Sequence, residues 1–452
     1  MLIKSFFVFH NFVYPLNFEV DFSKVNMKKL ASKSGVLAIM GNSQWKEEPV
    51  FHFPEGAKKE EKYEDINTFY KVYKRLFSKY FLKSERNLRI FLSGPKIKDT
   101  DGTIRDSTII ALVDRRGFMV LTFRIDYNYK VPKSSEEIIN ELYNPHKEKD
   151  RFILSSAESL EGEFEIIAKY YAEHIEGFFD KECRISKEKE LLLSQEELYQ
   201  YSEPYAISII NHFITRSKQD VEEKIEKNEI LKILFWDDKL IEEFRPESVM
   251  EFYKEVSRTN REIILFSAES SLLVNLITNE DVKLYDSYYL LTNIELLLIQ
   301  KLVLQIYDHI LDSILHEIRG KTYNTSTITD IRKYISRDLE EFFDIRIKMY
   351  QRGREITDAG RKILNLDQFY QEVRDKINTL DTVVSVNNNL YLQRMIALLT
   401  GISVLAFFLV STFQLFRIVW EKYLVIAIFV VILSIILANS FISKLSKVLL
   451  HK

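Results

Sequence analysis

The chain has 452 residues, of which 46% are hydrophobic and 29% are charged, and its formal net charge is -3. This composition is typical of folded proteins, and a chain of this length is expected to form more than one domain. The small net charge, without a long run of Lys and Arg, gives no indication of direct nucleic-acid binding. The single cysteine, Cys183, excludes an intrachain disulfide and a cysteine-rich metal site.

The first part of the chain combines strand patterns with one helix pattern. Apolar residues at helical spacing run from Ile66 to Phe81. Strand-like runs bounded by turn residues occupy Leu2–Phe12, Val36–Met40, Leu88–Leu92, Thr108–Asp114 and Gly117–Tyr127. We interpret the first run as a strand, because it lacks the long apolar stretch and cleavage site of a signal peptide. These patterns predict an α+β subdomain over residues 1–150.

Residues 151–358 are predicted to form a mainly helical subdomain. The last proline is Pro246, so the commonest helix breaker is missing from the final 206 residues. A long helix is expected from about Asp281 to Ile318. Its apolar part, Leu290–Leu304, also contains Asn293, Glu295, Gln300 and Lys301. The charges among them would be costly in lipid, so we interpret this helix as buried in the protein rather than as a membrane span.

Residues 359–394 are predicted to form a long stalk helix that continues without a break into the next segment. Mainly apolar residues recur at alternating three- and four-residue steps, the spacing of a coiled-coil seam. The seam consists of Tyr370, Val373, Ile377, Leu380, Val384, Asn387, Tyr391 and Arg394. This spacing fits a coiled coil between subunits and also fits a helix packed on its own chain. The polar Asn387 and Arg394 favour a seam that faces a central, water-filled axis.

Two long uncharged segments near the C-terminus predict transmembrane helices. They occupy residues 395–416 and 423–442, and a loop of residues 417–422 joins them. The tail, residues 443–452, contains Lys444, Lys447 and Lys452 without an acidic residue. The positive-inside rule therefore places the tail and the N-terminal domain in the cytoplasm, with only the loop outside. The predicted location is the inner (plasma) membrane, with the lipid bilayer as a partner.

The sequence contains no motif that indicates catalysis. A P-loop, HExxH, CxxC and GxSxG are all missing, and the eight histidines are scattered. We therefore expect no enzymatic activity.

The order of these elements and the run NTLDTVVSVNNNLYLQRMIALLTG resemble the CorA family of magnesium transporters. The pair Leu399-Thr400 corresponds to the start of the family's first membrane helix, and the basic tail is similar too. The family's Gly-Met-Asn signature is replaced by Arg417, Ile418 and Val419. A ring of Arg417 side chains at the pore mouth would repel cations. The resemblance thus implies a CorA-like fold, in which an α+β cytoplasmic domain is followed by a stalk helix and two transmembrane helices.

The resemblance also implies a homopentamer in which the first membrane helix of each subunit lines a pore. The residues expected to face the pore, called the pore stripe here, are Asn389, Gln393, Ile396, Thr400, Ser403, Phe407, Val410 and Gln414. Packing between helices would explain the polar members equally well. Phe407 and Ile396 are candidates for a hydrophobic constriction. Asn389 and Asn387 lie on nearly opposite helix faces, so the seam and the pore stripe cannot both face the axis.

Three functions are consistent with the sequence, and the first two follow from this resemblance. The first is an ion channel opened by a cytoplasmic ligand, because a divergent branch of CorA-like proteins serves type III CRISPR antiviral defence and responds to the nucleotide S-adenosyl-methionine-AMP. The second is a transporter of Mg²⁺ or another divalent cation. The third is a membrane-anchored binding or scaffold protein. The sequence assigns neither a ligand pocket nor a metal site.

Overall fold

The structure is a computed structural model and describes residues 2–42, 49–52, 66–72, 87–98, 103–140, 152–153, 164–187, 194, 205–213, 229–235, 253–257, 262–275, 280–318, 325–343, 351–415 and 426–434. The chain divides into two compact units. The first comprises Met1–Tyr323 and Thr329–Ile377, and the second comprises Asn324–Ile328 and Asn378–Lys452. The long C-terminal helix contributes residues to both.

A mainly antiparallel sheet organises the first unit. Its eleven described strands follow the order β11-β12-β13-β10-β1-β7-β6-β5-β3-β4, and β8 pairs with β5. The strands β10 and β13 are parallel neighbours, and the other pairs are antiparallel. The bounds are β1 Leu2–Pro15, β3 Val36–Asn42, β4 Pro49–His52, β5 Asn87–Lys98, β6 Ile104–Asp114, β7 Phe118–Ser134, β8 Phe152–Ile153, β10 Tyr205–Phe213, β11 Tyr253–Glu255, β12 Glu262–Ser267 and β13 Ser270–Asn275. Two short strands, β2 Phe18–Val20 and β9 Arg184–Ser186, pair separately.

The strands predicted from the sequence are confirmed. β1 lies in the interior of the sheet, which agrees with its apolar sequence. β1 pairs with β7 on one side and with β10 on the other, so its backbone hydrogen bonds are made within the sheet. β7 is buried along its first part and alternates between buried and exposed residues from Ile125 to Lys130. That alternation is expected where one face of a strand meets water. The predicted helix at Ile66 is described over 66–72 only.

The described helices are α1 Met27–Ala31, α2 66–72, α3 135–140, α4 Phe164–Glu176, α5 Glu229–Phe235, α6 Glu280–Ile318, α7 Thr325–Phe343, α8 Gln351–Ile363, α9 Leu366–Leu415 and α10 426–434. The long helix α6 packs on β1 and β7, and α8 packs on α6. The helix expected from about Asp281 to Ile318 is thus confirmed as α6.

Asn365 explains why α8 and α9 are separate helices. Its φ is 53°, the left-handed conformation that ends helices and that Asn tolerates better than most residues. The Leu364 N–H donates to the Gly360 carbonyl at the end of α8, and the Phe369 N–H donates to the Asn365 carbonyl at the start of α9. From there α9 continues for 50 residues. The predicted stalk helix is therefore unbroken from Leu366 onwards, but its predicted start at residue 359 is wrong, because residues 359–363 belong to α8.

Two described helices are long and apolar enough to cross a membrane: Lys283–His316 within α6 and Leu366–Ser411 within α9. The most apolar stretch of the first is 83% buried inside the protein, whereas that of the second is not buried at all. The first therefore has the surroundings of a core helix, as expected from its Glu295. The predicted second span, 423–442, is described only over 426–434, which is helical.

Candidate functional site

The pore stripe lies on an uncovered face of α9. Ile396 is 61% exposed and Phe407 is 73% exposed, and Asn389, Gln393, Thr400, Ser403 and Val410 are exposed as well. Gln414 lies within α9, but its side chain is outside the described part of the chain, as is Arg417. The stripe therefore makes no extensive contact in a single chain.

A groove on a different face of α9 involves α10. This open groove of about 360 Å³ is lined by one α10 residue and six α9 residues: Val430, Leu398, Gly401, Ile402, Leu405, Ala406 and Leu409. No pore-stripe residue lines it. At about 100° per residue, the centres of the groove and the stripe lie roughly 160° apart around α9. Both sides of α9 are exposed in a single chain, since Leu398 and Leu405 on the groove side are 60% and 65% exposed.

The two hydroxyl groups of the pore stripe donate to their own helix. Thr400 donates to the Ile396 carbonyl, and Ser403 donates to the Leu399 carbonyl, each at 2.8 Å. Because the protons are used in this way, each oxygen keeps lone pairs directed away from the helix. Lone pairs of this kind can contact a hydrated cation.

The seam has two different environments along α9. Val373 and Ile377 are buried, whereas Tyr391 is 56% exposed and Arg394 is exposed. Burial of the first two residues within one chain favours the packed-helix interpretation for the start of the seam. The axial arrangement that the polar residues favoured does not apply to this part, because its apolar side chains are already covered.

The base of α9 is held to α6 by an ionic contact. The Lys376 Nζ lies 2.7 Å from an oxygen of Asp308 and 2.7 Å from an oxygen of Asp312. Partial burial lowers the pKa of Lys376, but the hydrogen bonds to both carboxylates outweigh it, so that the pKa is raised above its ordinary value. These three residues are called the Lys376 clasp here.

A mostly buried group of charged residues and tyrosines, with Arg337 at its exposed edge, joins the end of the sheet to α6 and α7. Glu19 of β2 accepts a hydrogen bond from the Tyr334 hydroxyl at 2.5 Å. Asp338 is fully buried and accepts one from the Tyr307 hydroxyl at 2.5 Å. Arg116 lies 3.4 Å from both carboxylates, and so does Arg337. With Asp114 and Lys187, these residues form what we call the charge cluster.

Lys187 closes the charge cluster on the sheet side. Its Nζ donates to the Leu16 carbonyl at 2.7 Å and lies 5.2 Å from the centre of the Phe118 ring. Burial lowers the pKa of Lys187 from 10.5 to about 8, although Asp338, Glu19 and Asp114 act in the opposite direction. Burial also raises the pKa of Asp338. The charge cluster therefore contains two groups whose charged forms are disfavoured by their surroundings.

A small cavity lies beside the charge cluster. Its volume is about 10 Å³, and Lys187, Tyr307 and Tyr334 contribute to its wall. Such a space holds about one water molecule. This cavity is too small for a nucleotide.

A second buried ionic contact holds the first half of α6 on the sheet. Arg89 of β5 makes a bidentate ion pair with Glu295, with distances of 3.0 and 2.5 Å, and both side chains are almost fully buried. The Thr122 hydroxyl lies 2.8 Å from the Asn11 amide oxygen and 3.2 Å from Glu295. Glu295 is thus explained as the partner of a buried arginine.

Sequence reasoning did not find the charge cluster, because its members are spread from Glu19 to Asp338. One signal was present in α7. Ile328, Ile331, Ile335 and Leu339 are buried at helical spacing, and Asp338 lies on the same face. A carboxylate on an apolar helix face needs a partner, although the sequence does not indicate which one.

No protein-family model matches this chain, and no curated protein matches it. Within the described ranges, no group of three or more His, Cys, Asp or Glu side chains is arranged to hold a metal ion. The roles of the pore stripe and of Arg417 stay predictions.

Proposed function

We propose that this protein is a CorA-like, homopentameric ion channel of the inner membrane that opens in response to a cytoplasmic nucleotide. The pore is formed by the C-terminal part of α9 from each subunit, and α10 belongs to the second span. The N-terminal α+β unit and both chain ends are cytoplasmic in this proposal.

The observation that carries the proposal is the contrast between the two ends of α9. Its base is packed and ion-paired in the first unit, through Val373, Ile377 and Lys376. Its C-terminal part is apolar, and its most apolar stretch is wholly unburied. A soluble monomer rarely exposes so large an apolar surface. Lipid and neighbouring copies of α9 together would cover it.

The pore stripe supports a conducting role more than a simple anchor. An anchor needs only apolar residues, whereas the stripe places Gln393, Thr400 and Ser403 on one open face. Polar groups inside a bilayer are expensive and usually face other helices or water. Phe407 and Ile396 supply the apolar positions at which the pore would close by dewetting.

The activating ligand in this proposal is S-adenosyl-methionine-AMP, and the biological role is antiviral defence alongside a type III CRISPR system. Both come from the resemblance to the divergent CorA-like branch. The substitution of Arg417, Ile418 and Val419 for the magnesium signature supports a channel over a selective magnesium transporter, because a ring of arginines opposes the entry of divalent cations.

Ion flux from proteoliposomes tests this proposal. Magnesium and potassium flux are compared with and without S-adenosyl-methionine-AMP, with protein-free liposomes as the control. We expect flux only when the nucleotide is present. Magnesium-selective flux without nucleotide would instead indicate a divalent-cation transporter.

Oligomeric mass separates a channel from a scaffold. Native mass spectrometry of the detergent-solubilised protein should give a pentamer under this proposal. A monomer that produces no flux in any condition would favour a membrane-anchored binding protein, in which α9 serves only as an anchor.

A further inference from the structure

One turn of α6 takes part in both ionic assemblies of the first unit. Tyr307 points to the charge cluster, where its hydroxyl donates to Asp338 at 2.5 Å. The next residue, Asp308, points to α9 and accepts from Lys376 at 2.7 Å. Asp312, one turn further along, also contacts Lys376. Adjacent residues of a helix point about 100° apart, so the same turn reaches two neighbours.

The contact on the charge-cluster side is buried and constrained. Tyr307 is 3% exposed and Asp338 is fully buried, and Asp338 is held in turn by Arg116 from the β6–β7 turn. Through Arg116 and Glu19, the position of α6 depends on the end of the sheet. A buried charge that loses a partner is costly, so such an assembly resists partial rearrangement.

The contact on the α9 side lies at the base of the proposed pore helix. Asp312 is 60% exposed and Lys376 is 27% exposed, so this contact is weaker than the buried one and easier to exchange. When α6 shifts, this exposed contact should therefore change before the buried one does.

We propose that the 307–312 turn of α6 couples the charge cluster to the base of α9, so that rearrangement of the charge cluster changes how firmly the Lys376 clasp holds the pore helix. This regulatory role rests on the proposed channel function. Both contacts of α6 are made within one chain. The Tyr307 hydroxyl lies on one side of α6, and the carboxylates of Asp308 and Asp312 lie on the other.

Tyr307→Phe is the sharpest variant, because it keeps the ring and removes only the hydroxyl that bonds Asp338. Lys376→Gln removes the charge of the Lys376 clasp. Arg374→Gln is the matched control, since Arg374 is an exposed cation on the same helix, two residues away. We expect Tyr307→Phe and Lys376→Gln to shift the half-activating concentration of S-adenosyl-methionine-AMP in the same direction, by about fivefold or more, and Arg374→Gln to leave it unchanged. The double variant should shift it by less than the sum of the single effects on a logarithmic scale.

Hydrogen exchange of the full-length protein in nanodiscs tests the coupling without relying on flux. Tyr307→Phe should accelerate exchange of the amides of residues 366–377, as Lys376→Gln does, whereas Arg374→Gln should not. If Tyr307→Phe leaves these amides unchanged while Lys376→Gln accelerates them, the coupling is refuted, even if the wild type conducts. If the wild type produces no flux but the exchange result holds, the channel proposal fails and the coupling survives.

Charge reversal distinguishes loss of this ionic contact from a general loss of stability. Lys376→Glu should accelerate exchange at the base of α9, and combining it with Asp308→Lys and Asp312→Lys should restore slow exchange. Failure of the reversed set to restore it, in a protein of normal oligomeric mass, would contradict a specific ionic contact.

Discussion

Gly117 shows how one residue decides whether the charge cluster can form. It lies in the β6–β7 turn with φ +78°, and its N–H donates to the Asp114 carbonyl. A Cβ at this position would collide with the Phe18 carbonyl. Because Phe18 precedes Glu19, only glycine lets Arg116 and Glu19 approach each other here.

Replacing Gly117 with alanine should therefore destabilise the protein by more than backbone strain alone. Gly35 is a matched control, since it has the same φ of +78° but open space where its Cβ would be. We expect Gly35→Ala to cost about 1 kcal/mol and Gly117→Ala about 1–3 kcal/mol more. Thermal or urea unfolding of the two variants would measure the difference. Equal losses would show that the approach to Phe18 contributes nothing.

Lys187 should make stability depend on pH above neutrality. Its pKa is lowered from 10.5 to about 8 by burial, so between these values the unfolded chain binds more protons at this site than the folded chain does. Stability contributed by this residue should therefore rise as pH increases from about 8 towards 10.5, because the penalty for the buried charge is removed.

The comparison that isolates this effect is Lys187→Met. The free energy of unfolding of the wild type, relative to the variant, should increase between pH 7.5 and 9.5 on the order of 1 kcal/mol or more. Denaturant titrations at both pH values would measure it. A difference that does not change with pH would show that Lys187 keeps its ordinary pKa in the folded protein.

At the scale of elements, the position of α6 along the sheet is fixed by a buried ion pair and not by its apolar surface alone. Apolar residues cover most of α6, so sliding along the sheet would exchange similar contacts. The Arg89–Glu295 pair permits one register, because each charge is buried and needs its partner. This register positions Tyr307 and Asp308, and hence both ionic assemblies that we propose to be coupled.

Removing one charge of the Arg89–Glu295 pair should destabilise the protein more than replacing both residues. Glu295→Gln leaves Arg89 buried beside a neutral group and should cost about 3–5 kcal/mol. The double variant Arg89→Met with Glu295→Met should recover much of that loss, since two apolar side chains of similar length replace two charges. Unfolding measurements on the single and double variants complete the cycle. A double variant less stable than either single variant would argue against this account.

Helix α7 also carries a buried charge whose position only the folded chain explains. Its buried face is made of isoleucines and one leucine, and Asp338 interrupts it. The helix itself is predictable from spacing, but the aspartate on its apolar face is explained only by Tyr307, Arg116 and Arg337 in the folded chain.

At the scale of the whole molecule, the pore proposal predicts different effects for two adjacent aromatic residues. Phe407 lies on the pore stripe, whereas Phe408 does not, and both are largely exposed in the monomer. Phe407→Ala should raise flux in the absence of nucleotide severalfold, because it widens an apolar constriction. Phe408→Ala should leave this flux near the wild-type level. Similar leak in both variants would place the constriction elsewhere.

In the same proposal, the charge of Arg417 at the pore mouth should affect ion selectivity. Arg417→Glu should increase the flux of potassium relative to chloride, since a ring of carboxylates attracts the cations that arginines repel. Arg417→Gln gives an intermediate reference. If the ratio is the same in all three proteins, Arg417 does not line the conduction path.

The sequence by itself determined the strands from Leu2 to Tyr127, the long buried helix α6 and the unbroken helix α9. These depend on local patterns: alternation of apolar residues, helical spacing, and a lack of prolines. It also identified Glu295 as a reason to keep α6 out of the membrane, because the cost of a charge in lipid does not depend on the fold.

Tertiary structure alone decided which charges meet. Glu19, Arg116, Lys187 and Asp338 come from distant segments, and their pairing depends on strand order and on the placement of α6 and α7. Only the structure shows which part of the α9 seam is covered. Val373 and Ile377 are buried in the first unit, whereas Tyr391 is 56% exposed. Spacing shows which residues share a helix face, but only the folded chain shows what covers that face.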